Sequence, residues 1–155
     1  MLISLLADHM NFLNELARLH HAEWGHLNPS NTVEIRAEKL EKLAGREGIP
    51  RIFIAHTDDQ FIGSAALVEQ DMPTLHPELS PWLAAVFVKE QWRGQGIATR
   101  LVKHCETQAI AAGREKLFLF TESASELYKT LGWQEFERCT YKGAQVQIMC
   151  KELGC

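Results

Sequence analysis

The stretch Glu90-Gln91-Trp92-Arg93-Gly94-Gln95-Gly96-Ile97-Ala98-Thr99 holds the residues of this chain best suited to chemistry. Two glycines one residue apart, behind an arginine, run straight into a segment of helical apolar spacing. A Gly-x-Gly turn that opens a helix aims bare backbone N–H groups at an anion, and the positive end of the helix dipole adds to them. Glycine lets the backbone approach the bound group closely and take conformations that side chains resist. Arg93 can add a charge-assisted contact, and Gln95, Ile97, Ala98 and Thr99 supply the rest of the turn. A dinucleotide fingerprint fits poorly: its third glycine position holds Thr99, and the turn lies several residues beyond its strand, although Glu122 could imitate a ribose-binding acid. A P-loop is excluded because no lysine follows either glycine. The cysteines Cys105, Cys139, Cys150 and Cys155 form no C-x-x-C pair and have no matching histidine spacing. They read as free thiols in a reducing compartment, with no metal site and no disulfide scaffold. His20 and His21 point about 100° apart on a helix, which suits a surface or capping role better than metal binding.

The glycine turn needs a strand ahead of it and a helix behind it. Residues 82–88 read as the strand, and the helix runs to about Ala112 with Gly113 as its stop. Upstream, residues 3–6 suit a strand. A helix follows with Asp8 as N-cap and Phe12, Leu13, Leu16, Leu19 and Ala22 on one face. Asn31 and Glu34 stand at capping-box spacing for a second helix through Ile35, Leu40 and Leu43, ending near Gly45 to Gly48. Two strands surround a turn at Asp58-Asp59, and Pro73, Pro77 and Pro81 make the next stretch an irregular loop. Downstream come a strand at 116–121, a short helix closed by Gly132, and a hairpin turning at Lys142-Gly143. The order is β-α-α-β-β-β-α-β-α-β-β, with no repeat or linker. This is an α+β chain, one domain over residues 1–155, with a mixed, mostly antiparallel seven-stranded sheet flanked by four helices.

Within that frame, Val86 and Val88 followed by Gln91, Gly94 and Gly96 are similar to the acyl-CoA-binding signature Q/R-x-x-G-x-G/A of the GNAT family of N-acetyltransferases. Ala124, Leu127, Tyr128, Gly132 and Trp133 resemble the family's second block, with Thr121 where that block has asparagine. The element order matches too, so the resemblance spans nearly the whole chain. It implies a GNAT-type fold in which the strand at 86–88 splays from the strand at 117–121. The pantothenate arm of acetyl-CoA would pair there with the main chain of Val86, Phe87 and Val88, as an added strand does. A backbone N–H near Val88 would polarise the thioester carbonyl, and the pyrophosphate would sit on residues 93–99. Tyr128 matches the family's general acid, which protonates the departing thiolate; the alternative is a core tyrosine filling its helix face.

The implied reaction moves an acetyl group from acetyl-CoA to a primary amine by direct attack in a ternary complex, without a metal. A non-catalytic acyl-CoA-binding domain of the same fold is the alternative. The amine must lose a proton, and Glu69, Asp71, His76 and Glu78 are candidates for its base, each balanced against a solvated-surface role. Trp24 belongs either to the acceptor-pocket wall or to helix packing, and the proline-rich loop stiffens acceptor entry.

Bulk composition is compatible with all of this. The chain has 155 residues, 46% hydrophobic and 23% charged, enough for one core. A net charge of −4 with scattered basic residues argues against nucleic-acid binding. The apolar start lacks a basic region and a cleavage site, and Asp8 and Asn11 interrupt it, so a soluble cytoplasmic protein without a membrane segment is expected. The acceptor is a small-molecule or peptide amine, and the acidity suits a cationic one. The final hairpin offers an edge to a partner or has its own cover, which leaves monomer and homodimer both open.

Overall fold

Apolar runs and turn residues place seven strands and four helices in a computed structural model that describes residues 1–154; Cys155, with its expected free thiol, lies outside the described residues. In chain order these are β1 (Leu2–Leu5), α1 (Leu13–Trp24), α2 (Val33–Leu43), β2 (Arg51–His56), β3 (Phe61–Val68), β4 (Trp82–Val88), α3 (Ile97–Ala111), β5 (Lys116–Thr121), α4 (Ser125–Thr130), β6 (Gln134–Tyr141) and β7 (Ala144–Glu152). The strands form one sheet in the order β1-β2-β3-β4-β5-β7-β6. Every neighbouring pair is antiparallel except β4 and β5. The chain is thus mixed α+β, as expected.

β3 reads FIGSAALV and buries every side chain, as a central strand covered on both faces must. Alternation in β2 sends Ile52 and Ile54 to one face, where Leu16, Ala17 and Leu40 of α1 and α2 pack. Phe53 and Ala55 go to the other face, against Leu101, Val102 and Cys105 of α3. The sheet is therefore sandwiched between α1/α2 and α3/α4.

Two expected helix starts shift. α1 begins at Leu13, after two 3₁₀ turns at Leu6–Asp8 and Met10–Phe12. Asp8 caps nothing, because its carboxylate is taken by the Arg46 guanidinium. Thr32, rather than Asn31, caps α2, accepting from the Ile35 N–H at 3.1 Å. The first strand is displaced by one residue, and Leu6 is fully buried in the following turn. The remaining strands and helices fall at the expected positions. Lys142 and Gly143 both have positive φ, 50° and 81°, the combination a tight hairpin turn requires. Among the described residues no helix is long and apolar enough to cross a membrane.

Candidate active site

β4 and β5 touch at their beginnings and then part. Trp82 opposite Phe118 is their only register pair, reinforced by the Phe118 N–H donating to the Pro81 carbonyl at 3.0 Å. Beyond it β4 stays with β3 and β5 with β7, so a V opens toward the carboxyl ends of both strands. Peptide groups alternate in direction along an antiparallel strand. The Lys89 N–H donates to the Ile62 carbonyl of β3 at 2.9 Å. The Val88 N–H consequently points the other way, into the gap.

A bulge aims this segment. Ser64 lies opposite Phe87 and Ala66 opposite Ala84, so Ala65 alone faces both Ala85 and Val86. Ala85 takes φ +54°, the left-handed conformation that a bulge asks for and a side chain resists.

The glycine loop stands at the mouth of the V. A 3₁₀ turn at Glu90–Trp92 leads to Gly94 and Gly96, each with φ +77°. A Cβ at either glycine would meet nothing within 4 Å, so the loop is an open cradle. The first turn of α3 has no acidic residue and no side-chain cap. Its N–H groups, from Ile97, Ala98 and Thr99, face that cradle without a protein acceptor from a cap, and an anion fits them. Arg93 lies beside rather than over the cradle. Its Nε donates to the Val88 carbonyl at 2.9 Å, its guanidinium covers the Phe87 ring at 5.9 Å, and Nη2 is 3.7 Å from Glu23. Phe87, Arg93, Gln91 and Lys89 line a cleft whose other wall is Leu19, Ala22 and Glu23 of α1.

α4 carries Tyr128 on the opposite lip. Thr121 closes the turn into this helix by accepting the Ala124 N–H at 3.0 Å. Tyr128 is 6% exposed, in one apolar cluster with Val88, Ile97 and Leu119. Its ring meets Trp133 edge-on at 6.0 Å. Its hydroxyl has no hydrogen-bond partner among the described residues. Burial first, and the neighbouring Cys105 thiol second, push the phenol's pKa up and keep it protonated.

The expected acceptor-side residues are not brought to one place. Glu69 pairs with Arg114 at 2.6 Å, just past the β3–β4 pair at Val68 and Trp82, which puts it at the closed end of the V. His76 is held between Glu137 at 3.1 Å and Glu78 at 3.3 Å, which fastens the proline-rich loop to edge strand β6. Asp71 lies on the α1/α2 face, where the Tyr141 hydroxyl reaches its carbonyl at 3.5 Å. Burial raises its carboxyl to about 6, against the pull of Lys39, Arg36 and Lys142. Trp24 packs its ring 5.0 Å from His20 and 6.2 Å from Phe87, so it touches both the helix core and the strand of the cleft.

His20 corrects the expectation of a surface or capping role: it is 1% exposed. It bonds Ser64 at 2.9 Å and Arg36 at 2.8 Å. Its spacing of four from Leu16, on the same helix face, is the signal that could have placed it inside.

A family model described as "Acetyltransferase (GNAT) domain" matches residues 49–135, from β2 through the glycine loop to Tyr128. No curated protein sequence matches the chain. Among solved structures, an aminoglycoside 6'-N-acetyltransferase complexed with coenzyme A is similar at TM-score 0.79 and 19% identity, over 100% of this chain and 98% of that one. The aminoglycoside 6'-N-acetyltransferase from Enterococcus faecium is similar at TM-score 0.76 and 19% identity, over 100% and 98%. A ribosomal-protein-alanine N-acetyltransferase from Brucella melitensis gives 0.74 and 20% identity, over 99% and 100%. At these identities the likeness is one of fold.

Proposed function

The chain belongs to the GNAT family of acetyltransferases, and from that premise we propose that it transfers an acetyl group from acetyl-CoA to a primary amine by direct attack in a ternary complex. The observation that carries this reading is the V between β4 and β5 with the uncapped start of α3 at its mouth. A pantetheine arm has the shape and hydrogen-bonding groups of the strand missing from that gap. A pyrophosphate has the charge that the α3 N-terminus and the open glycine cradle attract.

Each step has a group of this chain to serve it. The main chain of Val86, Phe87 and Val88 aligns the thioester, and the Val88 N–H stabilises the oxygen that becomes anionic when the amine nitrogen bonds the carbonyl carbon. Tyr128, kept protonated by its surroundings, gives its proton to the sulfur as the carbon–sulfur bond breaks. Of the three candidate carboxylates, Asp71 is the one that burial raises, to about 6, which suits it to take the ammonium proton. The similar structures are named for N-acetylation of an aminoglycoside and of a ribosomal-protein alanine; both kinds of acceptor, small molecule and peptide, fall within this proposal. Trp24 and Phe87 form its apolar wall.

Calorimetry with acetyl-CoA and CoA, with NADH and ATP as controls, tests the reading. Micromolar binding of the CoA species alone is expected, followed by thiol release when an amine panel is added. Absence of CoA binding overturns the proposal. CoA binding without turnover on any amine identifies a non-catalytic acyl-CoA-binding domain instead.

A further inference from the structure

We infer that Arg36, His20 and Ser64 form a one-way hydrogen-bond relay whose task is to hold the β4 bulge that turns Val88 toward the acyl-CoA gap. The inference rests on reading that gap as the acyl-CoA site. The three residues are positioning residues, contributed by α2, α1 and β3, and the relay ends on the Ala85 carbonyl of β4.

The donor directions follow from chemistry alone. Ser64 Oγ lies 2.8 Å from the Ala85 carbonyl, which can only accept, so the hydroxyl proton is committed there. The Ser64 oxygen must then accept from His20 Nε2 at 2.9 Å, which fixes the His20 proton on Nε2. His20 Nδ1 is left with a lone pair, and it accepts from Arg36 Nη2 at 2.8 Å, a group that can only donate. No other assignment satisfies all three contacts. A second proton on His20 would set a donor against the Arg36 donor, and both burial and Arg36 oppose that charge. His20 and Ser64 are 1% and 0% exposed, so water cannot replace either of them.

The relay ends at the one strained residue of β4. Left-handed backbone at a residue with a side chain persists only where its surroundings over-determine it. Ala85 has left the β3 ladder, and the Ser64 hydroxyl is what satisfies its carbonyl. Regular pairing is the competing arrangement. It would remove the extra residue and slip the following segment by one position, which reverses the direction of every peptide group in it. The Val88 N–H would then face β3 and the gap would lose it. The edge-on packing of His20 against Phe87 at 6.1 Å ties the relay to the same segment from its side.

The test compares S64A, H20F and H20Q with the wild type, reading acetyl-CoA affinity by calorimetry and amide hydrogen exchange by peptide mass spectrometry. S64A and H20F each remove a donor, and each should weaken acetyl-CoA binding about tenfold, the scale of leaving one buried polar group without its partner. Exchange should rise over 84–88 and stay at the wild-type rate over 144–152, a local change that general destabilisation does not produce. H20Q keeps an N–H within reach of Ser64 and should restore most of the affinity that H20F loses. If S64A does not fold, the H20F and H20Q pair makes the same comparison. Wild-type affinity and wild-type exchange over 84–88 in both S64A and H20F would overturn the relay, as would equal losses in H20F and H20Q. Failure of the wild type to bind acetyl-CoA would instead overturn the functional reading, and the exchange contrast would still decide the relay.

Discussion

Tyr128 illustrates how a residue's surroundings decide its chemistry. A phenol that is nearly buried, packed against Trp133 and without a hydrogen-bond partner among the described residues, is a poor anion and a reserved donor. Y128F should leave acetyl-CoA affinity unchanged and lower turnover at least about tenfold, within the usual range for a general acid; an unaltered rate would reduce Tyr128 to a packing residue. Asp71 makes the complementary case. Burial raises its carboxyl from 3.8 to about 6 in the folded chain, so folding favours the protonated form. Its contribution to stability is therefore complete below pH 4 and lost as the pH rises through 6. Activity should run the opposite way, rising as the base ionises near pH 6. Paired measurements on wild type and D71N should show that the substitution removes this acidic limb of kcat/KM and flattens the fall in stability between pH 4 and 6. A wild-type limb that survives in D71N would assign the base elsewhere. Legibility at this scale followed distance along the chain. The glycine turn and Tyr128 sit in contiguous motifs and could be read. The partners of His20 lie 44 and 16 positions away, and Ser64 looks like a small residue in an apolar strand, so their relay could not.

At the scale of elements, two glycines show how differently a strand and a loop use the same residue. A Cβ on Gly63 of β3 would lie 2.6 Å from the Phe87 carbonyl, a backbone atom that cannot step aside. G63A should push β3 from β4 and lower stability by about 1–3 kcal/mol, the usual result of overpacking, measurable by urea unfolding. Gly96 has open space around it and strain alone to lose, about 1–2 kcal/mol for a side chain at left-handed φ. G96E should accordingly remain folded yet lose acetyl-CoA binding, because a carboxylate fills the cradle with volume and like charge. Retained affinity in G96E would detach the anion from this loop. The elements themselves were legible where periodicity and punctuation agreed: β4, α3 and its Gly113 stop, β5, and the hairpin. Helix starts were not. Asp8 has the character of a cap, but Arg46, in the loop after α2, claims its carboxylate, and Asn31 lost the cap of α2 to Thr32 next to it. Capping is decided by which polar group arrives with the right geometry, and neighbours of similar type cannot be ranked by spacing alone.

The whole molecule is a sheet of two halves, β1 to β4 and β5 to β7, joined by the single register pair Trp82–Phe118 and by the helices that cover it. The contact of His26 with Glu122 at 2.7 Å links the α1 side to the end of β5. That β7, and not β6, docks on β5 could have been argued from composition. β7 buries Val146, Ile148 and Met149, whereas β6 carries an exposed Gln-Glu-Phe-Glu-Arg run fit for a charged edge. The junction of the halves was legible only through the family resemblance of the glycine-loop signature, because an absence of pairing leaves no mark in composition. It has a consequence for stability. A ligand that takes the place of the missing strand binds both halves of the native sheet and neither half of the unfolded chain. At about a hundredfold excess over Kd it should add about 2.7 kcal/mol, or about 5–10 °C in Tm for a chain of this size. NADH at the same concentration should add nothing. Because the ligand bridges the halves, amide exchange should slow in β5 and β7 together with β3 and β4. Protection confined to residues 89–96 would mean that the ligand is held by its phosphates alone and that the V is not its strand.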